Sequence, residues 1–328
     1  MRQVPEWRHE LAAAITEPAD LLAAVGLGAE WLPAARAAAR LFPLKVPRGY
    51  AARMRRGDPR DPLLRQVLPL AAELEAVAGF GDDPVGDRAA TVEAGLLRKY
   101  AGRALLIATG ACAVHCRYCF RRHFPYGESN ASGDGFEAAL RQIAADAGIR
   151  EVILSGGDPL ALSDRRLGDF AARLAAVPHV ARLRLHTRLP VVLPERVNDE
   201  FLAWFAGTRL AKIIVVHANH ANEINGTMRE ACLRLRNAGA TLLNQSVLLR
   251  GVNDDAATLA ALSEALFATG VLPYYLHQLD RVRGAAHFEV PDDDARTIYE
   301  RLRAMLPGYL VPRLVRELPG AAAKLPLV

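Results

Sequence analysis

The chain has 328 residues, 51% of them hydrophobic and 23% charged, with a formal net charge of +5. That length and apolar content support one large or two smaller packed cores and exclude a disordered chain. No apolar run is long enough to span a bilayer, and the arginines are scattered rather than interleaved with aromatics, so neither a membrane span nor a nucleic-acid surface is expected.

Residues 1–100 read as a helical region. Helix-period apolar residues recur in Leu11–Ile15, Leu21–Leu27 and Trp31–Phe42, and Leu63–Val77 reads as a further helix. Pro43, Pro47, Pro59 and Pro62 interrupt the middle, and Gly79–Gly86 reads as a loop. No chemistry-bearing cluster stands out, so a helical layer packed on the rest is expected. Met1 is followed by polar residues and Pro5, which argues against a signal peptide. Clustered cysteines without an export signal point to a reducing compartment, the cytoplasm.

From about residue 101 strands and helices alternate. Strands are predicted at Ala104–Ala108, Glu151–Leu154, Arg182–Leu185, Leu210–Val216, Thr241–Leu248 and Leu272–Leu276. Helices are predicted at Gly135–Ala147, Asp164–Ala176, Glu195–Ala206, Met228–Ala238, Ala256–Thr269 and Asp293–Met305. Such alternation predicts an α/β fold with a parallel sheet and right-handed crossovers. Polar residues cluster at or behind the strands: the cysteines, Ser155–Pro159, then His186, Thr187 and Arg188. After them come His217, Asn219, His220 and Asn222, then Asn244, Gln245 and Asp280. Carboxyl ends of parallel strands face one side, so these residues describe one pocket. A barrel or partial barrel gathers them where a doubly wound sheet would spread them, so a partial (βα)6 barrel is expected over 101–306, with 307–328 as a C-terminal segment.

Three of the four cysteines lie within eight residues, as Cys112-Ala-Val-His-Cys116-Arg-Tyr-Cys119. A disulfide at such short spacing is strained. Three thiolates converging in a loop suit a thiophilic centre, and could hold three corners of a 4Fe-4S cube with one iron left open. A structural zinc with His123 as fourth ligand is the alternative. Cys232, in a helix, reads as a buried small residue. Gly156 and Gly157 allow the backbone to approach a ligand closely.

Together these motifs resemble the radical S-adenosylmethionine superfamily. More narrowly, Cys116–His123, Ser155–Leu160, Asn244–Leu249, Gly251–Asp254 and Gly284–Phe288 resemble the lysine 2,3-aminomutase family. Leu41–Arg48 and Asp61–Gln66 resemble its short form, which supplies β-lysine for modification of elongation factor P. The resemblance covers nearly the whole chain. It implies a radical SAM barrel closed by a C-terminal tail, and an isomerase that moves the amino group of L-lysine from C2 to C3. It implies a 4Fe-4S cluster on Cys112, Cys116 and Cys119, with S-adenosyl-L-methionine near Gly156, Gly157, Asp158, His217 and Gln245. It implies pyridoxal 5'-phosphate on Lys324, its phosphate held by Arg103 with Tyr100 alongside. It further implies that Arg121 pairs with the substrate carboxylate, that Asp280 and Glu317 receive the ε-ammonium, and that His277 lines the pocket. Flavodoxin or ferredoxin would supply electrons, and a ligase acting on elongation factor P would use the product. The chain ends before the cysteine-bearing extension of the longer family members. Two other readings stand beside this one: a Cys3His zinc protein that grips nucleic acid, and an aminomutase for another amino acid such as glutamate.

Overall fold

The computed structural model describes residues 5–127 and 136–328. Its strands are β1 (Thr91–Glu93), β2 (Leu96–Leu97), β3 (Arg103–Thr109), β4 (Glu151–Gly156), β5 (Arg182–Thr187), β6 (Ala211–Val216), β7 (Ala240–Val247), β8 (Leu272–His277), β9 (Arg313–Arg316) and β10 (Leu325–Pro326). They form one sheet in which each strand lies beside the one before it. β3 through β9 are all parallel, while the hairpin β1–β2 and the final strand β10 pair antiparallel at the two ends. Sequential parallel order belongs to a barrel; a doubly wound sheet reverses order at a switch point. β1 and β10 do not pair with each other, so the barrel is partial.

The predicted βα units are present, with ends shifted by a few residues. The helices after β4, β6, β7 and β8 run Asp164–Ala175, Gly226–Asn237, Ala256–Phe267 and Asp292–Met305. Two of these start on side-chain caps: Asn225 accepts from Met228 N at 2.9 Å, and Asp255 accepts from Thr258 N at 2.8 Å. The helix expected from residue 135 runs Glu137–Ala145; residue 135 itself lies outside the described residues.

The strands alternate in the direction they face. Arg103 and Leu105 of β3, Ile153 and Ser155 of β4, Arg184 and His186 of β5, and Gln245 and Val247 of β7 line the interior cavity. Their neighbours Leu106, Leu154, Leu183, Leu185 and Leu242 are buried in the core with Leu167, Phe170 and Phe201 of the surrounding helices. Leu21, Leu22 and Val25 of the N-terminal region join the same cluster, so that layer shares one core with the barrel.

Three local expectations differ. Leu63–Val77 is not one helix. A single turn at Pro62–Arg65 is followed by a 3-10 turn at Ala71–Leu74, with Pro69 between them. Proline lacks the N–H that would continue the ladder, and its ring crowds the preceding turn. The first helix is Glu6–Ala12, and Ile15 instead bridges to Val46 as a β-pair. The strands β1, β2, β9 and β10 were not anticipated, because two- to four-residue strands carry too few positions to display alternation.

The N-terminal layer also grips the cysteine loop. Buried Glu73 accepts from Arg117 Nε at 2.9 Å and Nη2 at 2.6 Å, and from Arg122 Nη2 at 2.7 Å. The Phe42 ring faces both guanidiniums, with centroid distances of 4.9 and 4.7 Å. Backbone N–H groups of His115 and Arg117 donate to the carbonyls of Lys45 and Gln66, each at 2.9 Å. Truncating Glu73 strands two buried cations. Glu73→Ala is expected to cost about 3–5 kcal/mol, read from urea unfolding of the protein without cofactors. Glu73→Gln should lose less, since it keeps shape and some hydrogen bonding.

Candidate active site

A cavity of about 400 Å³ opens at the carboxyl ends of the parallel strands. Asn244, expected there, is instead spent on Ala218 and Ser246, but the residues given roles by the family resemblance line the cavity: Tyr100, Arg103, Cys112, Cys116, Cys119, Arg121, Gly156, Gly157, Asp158, His217, Gln245, Asp280, Glu317 and Lys324. His277 lines it too. His220 and Asn222 do not, because His220 Nδ1 accepts from the Asn222 N–H and folds the pair into an outer 3-10 turn. His123 also stands outside, its Nε2 3.2 Å from the Arg283 carbonyl. The Cys3His arrangement therefore does not assemble. Among the described residues no group of three or more His, Cys, Asp or Glu could hold a metal ion. A four-iron cube asks for a wider triangle of sulfurs than a single ion does.

The three cysteines are free thiols. Burial holds Cys112 well above the usual thiol range and pushes Cys119 up to about 11, with neighbouring sulfurs adding to both. Such thiols give up their protons to a cationic centre, and one cavity presents all three of them to it.

One guanidinium already touches this loop. Arg188 Nη1 donates to Cys116 Sγ at 2.6 Å and to Tyr118 Oη at 2.6 Å. Its Nη2 donates to Gln66 Oε1 at 2.7 Å and Glu223 Oε1 at 2.6 Å. Burial opposes its charge, but Cys116, Tyr118 and Glu223 together hold Arg188 well above the ordinary value. Glu223 in turn accepts from the backbone N–H of Asn219 and from Tyr50 Oη. The N-terminal layer, the cysteine loop and the ends of β5 and β6 are thereby locked together.

The Gly156-Gly157 turn is required by close approach. Gly156 has φ +123°, and a Cβ there would lie 2.6 Å from the Thr109 carbonyl oxygen. A Cβ on Gly157 would lie 2.4 Å from the Ala111 oxygen. The glycines thus press β4 against the root of the cysteine loop. Asp158 completes the turn. It accepts from the N–H groups of Leu160 and Arg188 and from Thr187 Oγ1, so both its oxygens are spent on the protein. Burial nevertheless pushes Asp158 up to about 6.

At the opposite side lies a chain of alternating charges. Arg121 Nε pairs with Asp87 Oδ2 at 2.6 Å, and Asp87 Oδ1 pairs with Lys99 at 2.6 Å. Lys99 pairs with Glu317 Oε1 at 2.8 Å, and Glu317 Oε2 pairs with Lys324 at 2.6 Å. Lys99 and Lys324 hold Glu317 down to about 2 against the effect of burial. Asp280 is different: burial and the nearby Glu317 push it up to about 7. Asp87, and the ion pairs that Lys99 makes, were missed from sequence. Both residues sit in the region read as a plain helical layer, with no local motif to mark them.

Several cavity groups await partners. The Nε2 atoms of His186, His217 and His277 are buried without a hydrogen bond in the protein. Burial pulls His217 down to about 4 and holds the other two well below the ordinary value, so all are neutral acceptors or donors near pH 7. Arg103 stacks 4.9 Å from the Tyr100 ring centroid and has no ion pair among the described residues. An unpaired cation of this kind fits a phosphate, an unpaired imidazole fits a polar ligand, and a lysine amine at the cavity mouth fits a carbonyl cofactor.

Known proteins resemble this chain along most of its length. A model described as the radical SAM superfamily matches residues 106–262, a span that includes the cysteine loop and the Gly-Gly turn. That defines the class: an enzyme built to use a 4Fe-4S cluster and S-adenosylmethionine. The L-lysine 2,3-aminomutase of Escherichia coli K12 is 50% identical over 98% of this chain and 94% of its own length. That of Haemophilus influenzae is 46% identical over 99% of this chain and 96% of its own. The Clostridium subterminale enzyme of the same name is 39% identical over 83% of this chain, but only 65% of its own length is matched. The chain belongs to the L-lysine 2,3-aminomutase family, whose members are isomerases.

The contact between the glycine turn and the cysteine loop gives a direct test. Gly157→Ala forces backbone against backbone, and is expected to lower stability by about 1–3 kcal/mol. The same variant should retain less iron after anaerobic reconstitution than the parent, measured by iron and sulfide content.

Proposed function

We propose that this chain converts L-lysine to β-lysine by moving the amino group from C2 to C3, with pyridoxal phosphate on Lys324. One observation carries the reading: the Lys324 amine and three free cysteine thiols face a single cavity. The cluster and S-adenosylmethionine supply a carbon radical when bound, and pyridoxal phosphate carries the migrating nitrogen.

The residues divide the remaining work. Cys112, Cys116 and Cys119 hold the cluster. Backbone at Gly156 and Gly157, the Asp158 turn, His217 and Gln245 shape the adjoining site for S-adenosylmethionine. Arg103, braced by Tyr100, takes the cofactor phosphate. Arg121 reads the substrate carboxylate through Nη2, since Asp87 occupies its Nε and Ser155 its Nη1 at 2.9 Å. Asp280 and Glu317 read the ε-ammonium, and two carboxylates there disfavour a glutamate side chain. Glu317 Oε2 becomes available to the substrate once Lys324 leaves it for the cofactor. The C-terminal segment 307–328, which adds β9 and β10 to the sheet, then closes the cavity of the 101–306 barrel, with the helices of 1–100 packed against it, and excludes water from the radical.

A use of the product in modifying elongation factor P, a flavodoxin- or ferredoxin-type electron donor and a cytoplasmic location complete the proposal. Near full-length similarity to the short relatives supports the first. Among the described residues no helix is long and apolar enough to cross a membrane.

The reaction is tested by anaerobic incubation with reductant, S-adenosylmethionine, pyridoxal phosphate and L-lysine. β-Lysine should form and α-lysine should fall in equal amount; turnover of glutamate with none of lysine would overturn the assignment. Cys112→Ala should abolish the brown iron–sulfur absorbance, and Lys324→Ala should cut turnover about a thousandfold or more. Asp280 gives a pH signature. It is largely protonated below about 7 and ionised above it. The Kd for L-lysine should therefore fall by up to about tenfold from pH 6 to pH 8. Asp280→Asn should bind weakly and flatten that profile.

A further inference from the structure

A second concavity, of about 570 Å³, lies on the outer face of the N-terminal layer. Thr16, Glu17 and Pro18 form one wall, and Arg36, Ala39 and Arg40 of the helix Leu32–Leu41 form another. Pro43, Leu44, Lys45 and His115 complete it. His115 is the informative member, because it lines the interior cavity as well. It sits between Cys112 and Cys116, and its N–H donates to the Lys45 carbonyl at 2.9 Å. At this place the partition between solvent and the cysteine loop is one residue thick.

The charge of the groove is one-sided. Arg36 and Arg40 stand four apart on one exposed helix face, and that helix contains no acidic residue. Arg36, Arg40 and Lys45 have no ion pair among the described residues, whereas buried Arg117, Arg121, Arg122, Arg188 and Arg196 all do. Glu17 is the one acid in the wall. Arg36 and Arg40 are exposed and Lys45 half-buried beside Cys112; exposed cations left unpaired around a concave surface project a positive field towards an approaching molecule. Leu41, next in the chain after Arg40, is 58% exposed and adds an apolar contact beside the charges.

We propose that this groove docks an acidic one-electron carrier protein, and that His115 is where the electron crosses to the cysteine-held cluster. The inference rests on the reading of the cysteine loop as an iron–sulfur site. The step balances simply: the reduced carrier loses one electron, the oxidised cluster gains one, and no bond or proton need move. The electron is then spent in opening the carbon–sulfur bond of S-adenosylmethionine. Encounter driven by charge makes docking fast at low salt and progressively slower as salt rises.

The test uses the reconstituted holoprotein and a reduced flavodoxin. Cluster reduction is followed by stopped-flow bleaching of its visible absorbance, and carrier binding by flavin fluorescence anisotropy. The double variant Arg36→Glu/Arg40→Glu should slow flavodoxin-driven reduction by about tenfold or more at low salt and lose most of its salt dependence. Reduction by photoreduced deazaflavin, a small reductant that needs no docking, should be unchanged. Arg36→Lys/Arg40→Lys should keep the parental rate, because it keeps the charge. Arg229→Glu/Arg301→Glu, an equal reversal on exposed helices elsewhere, should also keep it. An unchanged flavodoxin rate in the first variant, or an equal loss in the distant one, overturns the proposal. A protein that binds no cluster instead removes the iron–sulfur reading, and the binding titration, which needs none, still decides the groove.

Discussion

The structure depends on a run of charges that closes an open sheet. β1 and β10 leave the barrel unpaired at its seam, and no hydrogen-bond ladder crosses it. Lys99 follows β2 and Glu317 follows β9, and their ion pair spans that seam. Asp87 and Arg121 extend the chain to the cysteine loop, and Lys324 extends it to the tail. Alternating signs in a half-buried site make each member a condition for its neighbour, since any one left alone would carry the full cost of desolvation. The seam is thus without a backbone ladder and joined by charge, which suits a site that must admit a substrate and then close.

The same logic organises the opposite wall. Glu73 gathers Arg117 and Arg122, while Arg188 gathers Cys116, Tyr118, Gln66 and Glu223. The cysteine loop carries three arginines within four residues of its last cysteine, and all are turned to structural use or to the cavity by carboxylates from the N-terminal layer. That layer is therefore part of the active-site machinery, although it contributes little to the barrel's hydrogen bonding. A loop that must present three sulfurs to one cofactor cannot be left to its own short-range contacts, and the buried ion pairs hold it from behind.

Asp280 and Glu317 illustrate how one cavity sets two carboxylates apart. Glu317 has two lysines on it and stays ionised; Asp280 has burial and a negative neighbour, and stands at about 7. A cation arriving between them meets one charge already made and a second that it can itself draw out. Residues that lie 37 positions apart in the chain acquire these different properties from packing alone.

Much of this was legible in the chain. The alternation of apolar strands with amphipathic helices determined a parallel sheet, because only crossovers of that length join parallel strands. The C-x3-C-x2-C spacing marked the sulfur site, and polar residues at strand ends marked one cavity, because carboxyl ends of such strands share a face. What tertiary structure alone decided were the long-range pairs: Glu73 on Arg117, Asp87 between Arg121 and Lys99, Gln66 on Arg188, His123 turned away from the sulfurs. Each joins residues separated by 12 to 122 positions, and a single carboxylate or glutamine in a proline-broken stretch has no periodicity to reveal its partner. Local pattern follows from backbone geometry that every residue shares; which buried charge meets which follows only from the folded path of the chain.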